Sequence, residues 1–178
     1  MEKKHKLLGQ YICTNHELED SSNEFLEETA PLIGYLVHNF SALDAALNSC
    51  ICELINDRSD TRGAIVIHKM NFSAKVDLFY RLVRSMEIVT EKTLPSFSNF
   101  IEDLKRCAMY RNAVIHAEWD SLDENGYTYV KMTFEKNGMQ QQYWQFTAES
   151  LNSINDLIKQ TGGGFVTFMN ELQELYIR

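Results

Sequence analysis

The chain has 178 residues, 44% hydrophobic and 11% aromatic, with two prolines, eight glycines and a formal net charge of −8. That composition excludes a disordered or linker-rich protein, and 25 acidic against 17 basic residues exclude a broad basic footprint for nucleic acid, though not a small basic pocket. The apolar runs are too short for a membrane span and the N-terminal residues lack the apolar core of a secretory signal, so a soluble, cytoplasmic protein is expected.

Residues 1–20 read as an N-terminal extension and residues 21–178 as a single domain. Within the extension Cys13 and His16 have a ligand-like spacing, but no second pair lies close by. Structural zinc wants four suitably spaced ligands, so no metal and no cofactor is expected. The remaining cysteines, Cys50, Cys52 and Cys107, are scattered and should pack as small reduced apolar groups.

A short helix over residues 22–29 should lead into a long one over residues 31–57, with Pro31 suited to its first turn. Leu36, Phe40, Leu43, Leu47, Cys50, Ile51, Leu54 and Ile55 recur at three- and four-residue steps, the period of one buried face. NDRSDTRG then breaks the pattern with turn and charged residues. A second helix is expected over residues 71–86, burying Phe72, Val76, Phe79, Leu82, Val83 and Met86. A third should run from Pro95 to Trp119, with Phe97, Ile101, Leu104, Ala108, Ile115 and Trp119 along one stripe.

The period then changes from helix to strand. YTYVKMTF alternates in steps of two, and MQQQYWQF returns, giving a hairpin at about residues 127–146. Between them Asn137-Gly138 fits the centre of a type I′ turn, where both residues need positive φ. Gln140, Gln141, Gln142, Tyr143 and Trp144 offer polar and stacking groups but no acid or base titrating near neutrality, so the hairpin reads as an accessory able to bind a partner or a base. Thr147 looks like the N-cap of a final helix. Its Gly162-Gly163-Gly164 run has no following Lys-Ser/Thr and no preceding strand, so it reads as a helix break or kink and not as a phosphate cradle. The fold class implied is all-α: a four-helix, up-and-down-like bundle with one inserted antiparallel β-hairpin.

The stretch YRNAVIHAEW is the chemically unusual one. Arg111 falls on the apolar stripe of the third helix, where an aliphatic would be expected, and Asn112 and His116, four apart, share its flank. A guanidinium binds phosphate with a planar fork and an imidazole titrates near neutrality, so the trio suits phosphate chemistry. The competing reading is structural: arginine buries its methylenes and keeps its head wet, or pairs with a carboxylate such as Asp44. Arg62 and His68 repeat a looser version of the spacing, with turn residues beside them, and read as coincidence.

RNAVIH near the end of the third long helix, followed by a hairpin and one more helix, resembles the HEPN superfamily. Its signature is Arg-x4–6-His, commonly with a polar residue after the arginine; Arg111, Asn112 and His116 match in order, and Asp44 within NFSALDAALN is similar to the family's acidic position. The likeness in layout covers most of residues 22–178, while the motif rests on three of them. It implies a metal-independent endoribonuclease, a toxin or defence effector acting on RNA as a homodimer with the motif at the interface, and a protein partner or antitoxin. It equally admits a non-catalytic domain that dimerises, binds a nucleotide or docks a partner. A third reading, outside the family, is a helical interaction module in which Arg111 only holds an ion pair.

Overall fold

The computed structural model describes residues 1–7, 20–56, 58–119, 123, 125–136 and 138–176. Cys13 and His16 lie outside them. The described chain is mostly helical: β1 (Lys3–Leu7), α1 (Asp20–Ile55), α2 (Asp60–Ile67), α3 (Phe72–Thr90), α4 (Phe97–Ile115), β2 (Tyr127–Glu135), β3 (Gly138–Gln145) and α5 (Ala148–Tyr176). The short and long helices expected over residues 22–29 and 31–57 are one helix, α1, while α2 is an addition, and the expected hairpin is part of a three-stranded sheet. Two compact units form, one from Met1–Val37 and Tyr110–Asn155, the other from His38–Met109 and Asp156–Arg178.

The second unit is organised by phenylalanine. The ring of Phe79 on α3 is fully buried and lies 5.7 Å from Phe97, 6.3 Å from Phe100, 5.9 Å from Phe165 and 5.2 Å from Phe168, drawing α3, α4 and α5 together. Most of these pairs are tilted or edge-on, the arrangement that the ring quadrupole favours. Here the glycine run is resolved differently from expectation: α5 continues through Gly162, Gly163 and Gly164. A Cβ on Gly164 would stand 2.9 Å from Cε2 of Phe100, so the absent side chain lets the two helices approach while neighbouring turns hold the helix.

α2 replaces the expected loop. Ser59 accepts from the Thr61 amide as N-cap, and Gly63 lies flush on α1, where a Cβ would meet the Cα of Cys52 at 2.5 Å. Asn71 caps α3 by accepting from the Ala74 amide, and that helix runs a turn beyond its expected end.

α1 is one helix of 36 residues with Pro31 inside it, and not two helices meeting there. Proline deletes one bond of the ladder, yet Thr29 and Leu36 on either side are fully buried, and that packing keeps the rod continuous.

The first unit holds the sheet, antiparallel in the order β1-β3-β2. The N-terminal segment expected to be an extension supplies β1. It carries no apolar alternation; instead Lys3 Nζ sits 3.9 Å over the Trp144 ring, Lys4 Nζ sits 3.5 Å over Tyr127, and Tyr127 donates to Glu2 at 2.8 Å. At the hairpin end Glu135 pairs with Gly138, so Gly138 (φ +113°) opens β3 and is not a central turn residue; Asn137 lies outside the described residues. Gly126 (φ +80°) closes the turn before β2, against the ring of Phe25. Thr147 caps α5 as expected, accepting from the Ser150 amide, and Asn155 donates to the carbonyls of Leu32 and Leu151, tying α5 to α1.

Candidate functional site

α4 ends at Ile115, short of the expected Trp119, and the reason lies in how its last carbonyls are satisfied. The His116 amide still donates to the Asn112 carbonyl at 3.0 Å. Trp119, expected to continue the apolar stripe, turns back, and its indole N–H donates to the Val114 carbonyl at 3.0 Å. The Glu118 amide donates to the Tyr129 carbonyl at 2.8 Å, pinning the segment to the outer edge of β2. His116 is therefore exposed on a short link anchored at both ends.

The buried face of α4 runs through Phe97, Ile101, Leu104, Cys107 and Val114. Arg111 falls on that line and is half-buried, with Asn112 exposed beside it. Its Nη1 donates to Asn112 Oδ1 at 3.1 Å, so the amide takes part in orienting the guanidinium. The three motif residues thus occupy one helix end within a single unit. An oriented guanidinium and an exposed imidazole can bind a phosphate and exchange a proton.

Asp44 lies in the other unit, where its two oxygens accept from Lys75 Nζ at 2.8 and 2.9 Å. Lys75 is buried on the inner face of α3 and needs that neutralisation. Lys75 escaped the sequence reading, although its position beside Phe72, Val76 and Phe79 on the helical period was the signal available.

The stacking groups assigned to the hairpin are not surface groups: Gln141, Tyr143 and Trp144 are 5%, 9% and 3% exposed. Trp144 instead packs edge-on to Tyr110 of α4 at 6.4 Å and near Phe146 at 6.1 Å. Arg62 and His68 are both exposed, on α2 and at its C-cap.

Among the described residues no group of three or more His, Cys, Asp or Glu could hold a metal. Burial, helped by Glu53, pushes the Cys50 thiol up to about 12, and burial also raises Cys52 and Cys107, so these sulfurs stay protonated at neutral pH. A shallow groove of about 400 Å³ is lined by Tyr80, Arg84, Glu87, Ile88 and Thr93. Its arginine is committed to structure, donating to the Tyr80 hydroxyl and the Glu87 carboxylate. No described helix is long and apolar enough to cross a membrane.

Comparison with family models, curated proteins and solved structures returned no match to this chain.

Proposed function

We propose that the end of α4 is the site of a metal-independent endoribonuclease of HEPN type, a toxin or defence effector. The observation that carries it is the arrangement of Arg111 on Asn112 with His116 exposed immediately past the helix end. The mostly helical chain, with four long helices α1, α3, α4 and α5 and an eight-residue α2, is consistent with the helical fold this reading requires. In the reaction a base takes the proton of the 2′-hydroxyl, the 2′-oxygen attacks the phosphorus, and an acid protonates the leaving 5′-oxygen. One imidazole does not serve both ends of a single step, so two copies facing across a two-fold axis beside α4 contribute one His116 each. Arg111 offsets the phosphorane charge and Asn112 orients it.

The second reading is a non-catalytic HEPN-like module for dimerisation, nucleotide binding or partner docking. It draws support from charge: the unit holding the motif has thirteen acidic against six basic residues, which opposes a polyanion. Asp44, committed to Lys75, acts in either reading by keeping α1 and α3 together.

The test is RNA cleavage in EDTA by the parent and its variants, with thermal melts alongside. His116→Ala should lower the rate by roughly 10² to 10⁴ with little change in melting temperature. Arg111→Ala should do comparable damage and Asn112→Ala less. A folded His116→Ala chain that cleaves as well as the parent sinks the enzyme and leaves the module.

A further inference from the structure

β2 lies at one edge of the sheet, and among the described residues its outer side is engaged only near its start, where Tyr127 exchanges hydrogen bonds with Asp123 and Tyr129 accepts from the Glu118 amide. A β-bulge separates Tyr129 from Lys131, and beyond it Lys131, Met132, Thr133, Phe134 and Glu135 pair inward with β3 while no described strand covers their outer edge. Phe134 is 78% exposed and Met139, its cross-strand partner, is 37% exposed, so an apolar strip borders this open edge. Open edges are ordinarily blunted by charge, proline or cover. This one has a charge only at each end, of opposite sign.

We propose that the β2 edge pairs with the same edge of a second copy, joining two three-stranded sheets into one of six strands. The sequence of the edge is self-complementary when read antiparallel about Thr133. Lys131 then faces Glu135 of the copy, Met132 faces Phe134, and Thr133 faces itself on the two-fold axis; each charge and sulfur–aromatic pair occurs twice. The length also fits, because the copy's β2 ends at Glu135, before the position that would face Tyr129 and its Glu118 bridge. A register slip of one residue would set charge against apolar side chain and turn the methionine and phenylalanine to opposite faces. This contact lies apart from the α4 interface of the proposed ribonuclease and does not depend on that reading.

The test is sedimentation of the full chain at about 10 to 200 µM, a range suited to an interface smaller than the standard 1,600 Å² or so. Lys131→Glu places like charges opposite each other twice and should weaken dimerisation at least about tenfold, as should Glu135→Lys. The double exchange, Lys131→Glu with Glu135→Lys, should restore it. Thr133→Cys should form a disulfide across the axis under mild oxidation, mapped by mass spectrometry, since paired Cα atoms there fall within about 4.5 to 5.5 Å. A monomeric parent overturns the proposal, and so does a dimer indifferent to both single reversals, which assigns association to another surface.

Discussion

In the unit built on His38–Met109 and Asp156–Arg178, polar groups come in matched sets: Lys75 with Asp44, Glu87 with Arg84 and the Leu94 amide, Ser96 with Glu171. In the sheet-bearing unit, Thr128 Oγ1, Gln141 Nε2, Gln142 Oε1 and Trp144 Nε1 are buried with no protein hydrogen-bond partner, whereas Asn48 Oδ1 is the sole such atom found in the other among the described residues. Each orphan costs on the order of 1–3 kcal/mol. The charge divides the same way, twelve acidic against eleven basic residues in the phenylalanine-rich unit and thirteen against six in the other. The contrast separates a framework, in which packing and pairing are completed internally, from a region that holds the motif, the open strand edge and the unpaired groups. Local opening is cheapest where internal satisfaction is poorest, so the sheet-bearing unit is where exchange and recognition should concentrate.

The largest expected blow to that contrast is Phe79→Ala, which removes the ring shared by Phe97, Phe100, Phe165 and Phe168. It should cost about 3–5 kcal/mol in a denaturant melt. A cost below about 1 kcal/mol would show that the cluster is not the framework's centre.

The glycines sharpen the contrast within one helix. Gly164→Ala forces a methyl onto Phe100 in a packed cluster and should destabilise by about 1–3 kcal/mol. Gly163→Ala meets nothing within 4 Å and should stabilise by about 0.5–1 kcal/mol from helix propensity alone. Equal effects from the two would refute close approach as the reason for the glycine run.

Trp119→Phe keeps an aromatic ring against Phe146 and deletes the donor to the Val114 carbonyl. A loss of about 1 kcal/mol is expected, with faster amide exchange at His116 as the more telling readout. Unchanged exchange there would mean that the Glu118 bridge alone holds the link.

A pH series tests a matched set in the framework. Burial pushes the Glu87 carboxyl up, but the Leu94 N–H bond and the Arg84 guanidinium more than offset this and leave it below its usual range. A depressed folded-state pKa contributes stability at neutral pH that disappears as pH falls through that value. The gap in melting temperature between parent and Glu87→Gln should therefore be present at pH 7 and narrow below about pH 4. A gap that widens in acid contradicts the pairing.

The smallest effect belongs to Trp144→Phe. It discards an orphaned indole N–H while retaining a ring beside Tyr110, and should be near neutral, within about 1 kcal/mol. A much larger loss would mean that the nitrogen is satisfied after all.

Much of this was legible locally. Thr147 announced its cap, the step-of-two alternation announced β2 and β3, and the helical period placed Arg111 on the inner line of α4 with Asn112 at its flank. The other half of the candidate site was not legible. Nothing in spacing alone shows that the Trp119 indole folds back to end the helix, or that Glu118 fastens to β2, because the Trp119 ring is packed on the distant Phe146 and the Glu118 bond requires β2 alongside.

What the sequence determined by itself is therefore what depends on residues a few positions apart: helical and strand periods, caps, and the run of Arg111, Asn112 and His116. Tertiary structure alone decided that α1 passes through Pro31, that α5 passes through three glycines, that Gly63 lets α2 lie on Cys52, and that a lysine-rich N-terminal segment becomes β1. In each case local propensity argued against the outcome and contacts with distant segments outweighed it. Propensities differ by about 1 kcal/mol per residue, and about 3 for proline; a buried aromatic or leucine is worth as much or more, and it draws that energy from neighbours that the local sequence does not name.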